Sequence, residues 1–245
     1  MSKKHGEMSI TDRQERLLKI ITERTYVTVN ELAELTFTSP SSIRRDLTYL
    51  QNNNLVKRSH GGVTLPAPIN GVAGFYDRMR KNVREKRLIA QKASSLLKNG
   101  QKIILDSSST AAFLLPYIAK FKYMTVFTNN LTTAISSIEL GIETHCLGGH
   151  SVNGSPSLSG IETFDALSKI NADILFFSSQ SLNSEGNISD STEEEYYVRS
   201  LMLRSAKKTV FLCDSEKFDT ESTYILANLK DIDISVFDKE YQDLK

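Results

Sequence analysis

Cysteine is scarce in this 245-residue chain: only Cys146 and Cys213 occur, and no CxxC pair. A disulfide framework is therefore not expected, and a reduced compartment fits. Each cysteine is expected to be a small buried apolar residue. The four histidines and two cysteines lack metal-ligand spacing, although His145 and Cys146 adjoin. There is no Walker sequence and no GxGxxG, so neither a metal nor a cofactor is expected. No apolar run approaches the length of a membrane span. The opening MSKKHGEMSITDRQERLL has no apolar core of the signal-peptide kind. The expectation is a cytoplasmic protein with no membrane partner.

What is present is an uneven distribution of charge. The chain's net charge of +1 divides into about +8 over residues 1–92 and about −7 over residues 93–245. A basic first third on an acidic remainder suggests a polyanion-binding module on a carrier.

The basic part reads as a three-helix module. Thr11 or Asp12 can cap a helix to about Thr22, with Leu17, Leu18 and Ile21 on one face. A β-prone patch, 26–29, follows. Asn30 is expected to cap a second helix over Glu31–Leu35, with Leu32 and Leu35 inward. Thr36-Phe37-Thr38 is the turn. In the third helix Ser39 is the N-cap and Pro40 the first residue, where a missing N–H costs nothing. Ile43, Leu47 and Leu50 form its buried stripe, which leaves Ser41, Ser42, Arg44, Arg45 and Thr48 exposed. Short polar groups and two arginines at a helix start suit major-groove reading of double-stranded DNA. Asparagines then turn the chain into a hairpin around His60-Gly61-Gly62, a wing whose Lys57, Arg58 and His60 offer donors to the DNA backbone or minor groove.

Residues 65–74, LPAPINGVAG, have two prolines, two glycines and little charge, and mark a linker. The expected division is 1–64 winged helix-turn-helix, 65–74 linker and 75–245 effector-binding and oligomerisation domain. A long basic helix is expected from Phe75 to Gly100, with Leu88, Ile89, Ala93, Leu96 and Leu97 apolar. Short apolar runs then alternate with polar loops and helical stretches: 102–105, 124–127, 144–147, 174–177, 210–213 and 234–237. This pattern predicts a Rossmann-like, mainly parallel α/β sheet covered on both faces. Ligands bind beyond the C-terminal strand ends of such sheets.

Those ends carry Asp106-Ser107-Ser108-Ser109-Thr110, Thr128-Asn129-Asn130, Gly148-Gly149, and Asp214 with Lys217. Hydroxyls, free N–H groups and a lysine make an anion pocket, and Asp106, Asn129 and Asn130 can hydrogen-bond sugar hydroxyls. Each has an ordinary reading too: serines cap helices, asparagine pairs sit in turns, and Asp214 with Lys217 can be an exposed ion pair. Glu193-Glu194-Glu195 reads most simply as a solvated acidic face.

The stretch VTVNELAELTFTSPSSIRRDLTYLQNNNLVKRSHGGV resembles the N-terminal domain of the DeoR family of bacterial transcriptional regulators. That family's pattern is Ser-x-x-Thr-Ile-Arg-Arg-Asp-Leu, then Arg-x-His-Gly-Gly. Here Ser39, Ser42 to Leu47, Arg58 and His60 to Gly62 fill those places, with an Asn for Gly before Leu55. EKRLIAQKASSLLKNGQKIILDSSST, TVFTNNL, LGGHSV and VFLCDSEKF resemble the family's effector domain. The resemblance implies a fold similar to sugar-phosphate isomerases, a phosphorylated-sugar effector and a homo-oligomer, dimer or tetramer. Asp106, Ser109, Thr110, Thr128, Asn129, Asn130, Gly148, Gly149, Asp214, Ser215 and Lys217 match it, as do Glu195 and Arg199 on a late helix. Ser108, Ser178 and Ser181 stand in glycine places, and a Cβ at 108 is expected to restrict the backbone and crowd a phosphate. Two functions follow: a DNA-binding repressor of a sugar or nucleoside operon, or a sugar-phosphate isomerase-like enzyme using Asp106, Asp214 and Lys217. A basic winged module has no purpose in the second, which favours the first.

Overall fold

A computed structural model describes residues 11–24, 26–52, 55–59, 62–64 and 72–241. The chain divides into two compact units, 1–68 and 69–245.

The first unit contains α1 (Asp12–Arg24), β1 (Val27–Thr28), α2 (Val29–Thr36), α3 (Pro40–Asn52), β2 (Lys57–Ser59) and β3 (Gly62–Thr64). β1, β3 and β2 form a small antiparallel sheet in that order. Thr11 starts α1 by a reciprocal exchange with Gln14: Thr11 N–H donates to Oε1 (3.1 Å) and Gln14 N–H to Thr11 Oγ1 (3.3 Å). The core gathers Leu17, Ile21, Val27, Leu32, Ile43, Leu47, Leu50, Val56 and Val63. The spacing of α3 dictates this, because 43, 47 and 50 share one helix face.

Two expectations change here. The cap of α2 is Thr28, not Asn30. Thr28 Oγ1 accepts from Glu31 N–H while Glu31 Oε2 accepts from Thr28 N–H, a reciprocal box that starts the helix two residues early. That phase buries Leu32 and Ala33 and leaves Leu35 exposed. Phe37 ends α2 in the left-handed conformation (φ 51°) with its ring 96% exposed. No burial offsets the steric cost of a Cβ there. Phe37→Gly is therefore expected to raise the stability of this unit by about 0.5–1 kcal/mol, measured by urea unfolding.

The second unit begins with α4 (Val72–Arg80) and α5 (Val83–Ala93). The long helix expected here is broken: Asn82 takes φ 53° between its two halves. Residues 72–74 of the expected linker are the first turn of α4; 65–71 lie outside the described residues, as do Asn53, Asn54, His60 and Gly61. Ile89, Ala93 and Leu97 are buried, whereas Leu88 is exposed.

Then follow β4 (Lys102–Leu105), α6 (Ser109–Ala112), α7 (Leu115–Ile118), β5 (Thr125–Thr128), α8 (Leu131–Glu139) and β6 (Glu143–Cys146). A ribbon, β7 (His150–Ser151) and β8 (Leu158–Ser159), leads to α9 (Ile161–Ser168) and β9 (Ile174–Phe177). The rest is β10 (Ser181–Leu182), β11 (Asn187–Asp190), α10 (Glu193–Arg204), β12 (Thr209–Cys213), β13 (Tyr224–Asn228) and β14 (Ile234–Phe237).

Six strands, in the order β14-β12-β9-β4-β5-β6, form one parallel sheet. They are the six apolar runs of the sequence, with ends shifted by at most one residue. Alternate side chains feed opposite faces. Ile103, Leu105, Val126 and Phe176 pack with α5, α6 and α7, while Ile104, Leu175, Phe177 and Phe211 pack with α9 and α10. β6 departs from expectation, since three of its four residues are exposed, Cys146 among them. Cys213 is buried as expected, and burial pushes its thiol up to about 12. A second small sheet, β10-β11-β13, is antiparallel. No helix among the described residues is long and apolar enough to cross a membrane.

Candidate functional site

Each unit presents one candidate surface. In the first, Pro40 opens α3 behind Ser39, whose Oγ lies 3.0 Å from Ser41 Oγ and donates to Ser42 Oγ (3.1 Å). Ser39, Ser41, Arg44, Arg45 and Thr48 are exposed, and Ser42 is half-buried. Arg45 Nη2 reaches Ser42 Oγ at 3.5 Å, and Arg58 Nη1 on β2 donates to Thr48 Oγ1 at 3.3 Å. The start of α3 and one wing strand thus share a cationic surface. Lys57 is exposed on the same strand; His60 lies outside the described residues. Beneath, buried Asp46 accepts from Arg13 and Gln14 on α1 and locks α3 in place.

In the second unit a cavity of about 580 Å3 opens at the C-terminal ends of the central strands. The topology puts it there: the loops after β4, β5, β9 and β12 converge on one rim. Of the residues expected at this site, Ser107, Ser108, Ser109, Asn130, Asp214 and Lys217 line it.

Asp106 lies beneath, fully buried. It accepts from Ser108 N–H (3.1 Å), Ser108 Oγ, Ser178 N–H (3.2 Å) and Arg199 Nε (2.9 Å). Arg199 also reaches Asp190 at 2.7 Å. Burial opposes the guanidinium charge, but Asp190, Asp106 and Glu195 outweigh it and raise its pKa. Arg199 is therefore a buried cation between two carboxylates, while Glu195 Oε2 accepts from Thr192 Oγ1. Burial pushes the Asp190 carboxyl upward against the pull of Arg199.

Ser108 has ordinary extended backbone (φ −77°), so this position places no demand for glycine. Its hydroxyl accepts from Ala111 N–H and starts α6, besides donating to Asp106. Ser178, also in a glycine place, accepts from Lys217 Nζ at 3.0 Å; the same ammonium donates to Ser179 O at 2.8 Å. Asp214 is buried, not part of an exposed ion pair. Its Oδ1 accepts from Asn82 (2.9 Å), and its Oδ2, 3.7 Å from Lys217, has no hydrogen-bond partner. Ser215 holds Asp238, through N–H (2.7 Å) and Oγ (2.9 Å).

Other expected residues support the rim without lining the cavity. Thr128 Oγ1 accepts from Asn130 N–H, Asn129 Nδ2 donates to Leu158 O, and Thr110 is buried in α6. Asn130, which does line the cavity, also caps α8 and ties Ser107 O to it. Gly148 and Gly149 turn the chain with positive φ; a Cβ on Gly149 would overlap the Ser159 carbonyl oxygen. Their part is the turn.

The sequence reading missed a second cationic wall. Arg78, Lys81, Asn82 and Lys86, from α4, α5 and the turn between them, also line the cavity. Lys86 is buried and donates to the Arg78 and Lys81 carbonyls, closing the last turn of α4. Burial pushes its ammonium down to about 8, and Lys217 adds to that shift. Lys81 pairs with Glu216 at 2.9 Å. The basic run from Arg78 to Arg87 was a signal of charge; only the break at Asn82 turns it inward. No cluster of metal-ligating side chains occurs among the described residues.

Residues 13–68 match the DeoR-like helix-turn-helix domain, and residues 81–239 match the DeoR C terminal sensor domain. The chain is 32% identical over 94% of its length to the HTH-type transcriptional regulator GolR of Listeria innocua, covering 91% of that protein. It is 24% identical over 92% of its length to the glycerol-3-phosphate regulon repressor of Escherichia coli, covering 90%. Among solved structures it is similar to ribose 5-phosphate isomerase A of Methanocaldococcus jannaschii, with 16% identity, a TM-score of 0.42, and 56% and 55% of the two chains covered. With its helix-turn-helix and sensor domains matched in order, the chain belongs to the DeoR family of transcriptional regulators.

Proposed function

We propose that this regulator is a repressor of a sugar or nucleoside catabolic operon, released from its operator by a phosphorylated sugar. Residues 1–64 read DNA through Ser39, Ser41, Ser42, Arg44, Arg45, Thr48, Lys57, Arg58 and His60. Residues 75–245 hold the effector, and the protein works in the cytoplasm as a homo-oligomer on paired half-sites. The observation that carries this reading is the cavity itself. It sets Lys217, Lys86 and Arg78 beside serine hydroxyls, while Asp214 Oδ2 offers a free buried acceptor. Cations suit a phosphate, and a lone carboxylate oxygen suits a sugar hydroxyl. The name of the E. coli relative, a glycerol-3-phosphate regulon repressor, fits an effector of that class.

The isomerase reading is weaker. Asp106 is engaged by Arg199, Ser108 and Ser178, which leaves it no freedom to move a proton.

Calorimetric titration of the full chain with pentose and hexose phosphates tests the site. One of them is expected to bind, and Lys217→Ala to weaken it by roughly 10–100-fold through loss of a charged hydrogen bond. Affinity is expected to fall above pH 8. Lys86 is protonated below about 8 and loses the charge that favours a phosphate above it. Binding that is unchanged in Lys217→Ala and flat from pH 7 to 10 would place the effector elsewhere.

A further inference from the structure

The two edges of the six-stranded sheet differ. At β14 the flanking carbonyls are occupied, with Lys92 Nζ donating to Phe237 O (2.7 Å) and Asp238 O (3.3 Å). At the opposite edge β6 has no strand neighbour on its outer side among the described residues, and Glu143, His145 and Cys146 are exposed. An open edge strand is a ready template for another strand.

The backbone parity of β6 fixes which residues could pair. Leu147 N–H turns inward to Thr128 O at 3.0 Å. In a parallel ladder the bonding residues alternate, so Glu143 and His145 also bond to β5, while Thr144 and Cys146 turn their N–H and C=O groups outward. The outward groups let an antiparallel partner with a two-fold axis normal to the sheet centre on Thr144, His145 or Cys146, and only the register about Thr144 opposes Glu143 to His145. In that register Glu143 faces position 145 of the partner strand, and His145 faces position 143. These are non-hydrogen-bonded pairs, where opposed Cα atoms come within about 4.5 Å. The strand ETHC thus sets a carboxylate acceptor opposite an imidazole N–H donor in its own reversed copy. Glu143 and His145 already lie 3.7 Å apart within one strand, and the imidazole stacks on Phe127 with ring centroids 4.8 Å apart.

An apolar surface adjoins this edge. α8 packs on β6, with Thr144 Oγ1 donating to Ser137 Oγ at 2.8 Å. Its residues Leu131, Ile135 and Ile138 are spaced i, i+4, i+7, yet are exposed at 44%, 58% and 62%. Three large aliphatic side chains on one open helix stripe beside an open strand edge mark an interface.

We infer that β6 and α8 form a two-fold interface between copies of this chain, with β6 pairing antiparallel to itself about Thr144. This deepens the proposed homo-oligomer by naming its surface. The two sheets join into one of twelve strands, and the two α8 stripes cover each other on one face.

Sedimentation velocity on the full chain tests this, with circular dichroism and melting to verify that each variant is folded. Wild type is expected to be oligomeric at micromolar concentration. Ile135→Asp with Ile138→Asp is expected to raise the dissociation constant of one interface at least about 100-fold, halving the assembled mass. Glu143→Lys is expected to raise it roughly 10-fold, and the exchange Glu143→His with His145→Glu to recover most of that loss. A monomeric wild type overturns both the homo-oligomer and this interface. An oligomer indifferent to the isoleucine and Glu143 variants overturns the interface alone. Dissociation in both without recovery in the exchange variant overturns the register.

Discussion

Replacing Arg199 by leucine is expected to destabilise the sensor unit by about 3–5 kcal/mol, the usual cost of removing one partner from a buried ion pair. The side chain is 7% exposed and bridges Asp106 and Asp190, each 1% exposed. Leucine fills much of the volume but leaves two carboxylates without a cation. The loss carries a pH signature. Burial already holds the Asp190 pKa above its ordinary value, and removing Arg199 pushes it further up. A group whose folded pKa is raised contributes stability below its unfolded pKa and loses it as pH rises through the folded value. The variant's deficit is therefore expected to be smaller at pH 5 than at pH 8, read from urea unfolding at both. A deficit under 1 kcal/mol, equal at the two pH values, would contradict a load shared by these three residues. Because Asp106 also holds Ser108 and the Ser178 N–H, effector binding should fail in the same variant even where it stays folded.

Arg44→Ala and Arg45→Ala are each expected to cost about 1–3 kcal/mol of operator binding, roughly 5–150-fold. Both side chains are exposed on α3, whose opposite face is fixed by Ile43, Leu47, Leu50 and buried Asp46 with its bonds to α1, so stability should hardly change. The two need not behave alike. An arginine that reads a base loses discrimination at one operator position. An arginine that neutralises a phosphate weakens all sequences equally and lowers the salt slope by about 1. Titrations against the operator and scrambled DNA at two salt concentrations separate these. Wild-type affinity in both variants would remove α3 from the DNA surface.

Much of this was legible in the sequence, for identifiable reasons. The apolar runs of the parallel sheet are short and bounded by polar loops, and the four inner strands carry all of its buried residues, so composition alone locates them. β6 is the instructive exception: ETHC was found by its place in the alternation, but its exposure was not foreseen because edge position is a property of strand order. The cap of α2 was misplaced by two residues because Thr28 and Asn30 are both good caps, and only the reciprocal bond with Glu31 decides between them. The serine loop was placed at the cavity, but two of its functions are internal: Ser108 caps α6 and binds Asp106. Arg199 was marked only by the family resemblance, because its partners lie 93 and 9 residues away in the chain. The wall of Arg78, Lys81 and Lys86 was hidden in a basic run until the turn at Asn82 directed it toward the cavity.

The most direct test is fluorescence anisotropy of the purified full chain on DNA from upstream of its own gene. Scrambled DNA serves as control, salt is held fixed, and a panel of sugar phosphates with the matching free sugars is titrated in. The expected result is binding specific over scrambled DNA and released by one phosphorylated sugar but not by its free form. That release should be lost in Lys217→Ala while operator affinity is kept. Specific binding that no sugar phosphate disturbs, or release that is intact in Lys217→Ala, would contradict the effector cavity as the seat of control.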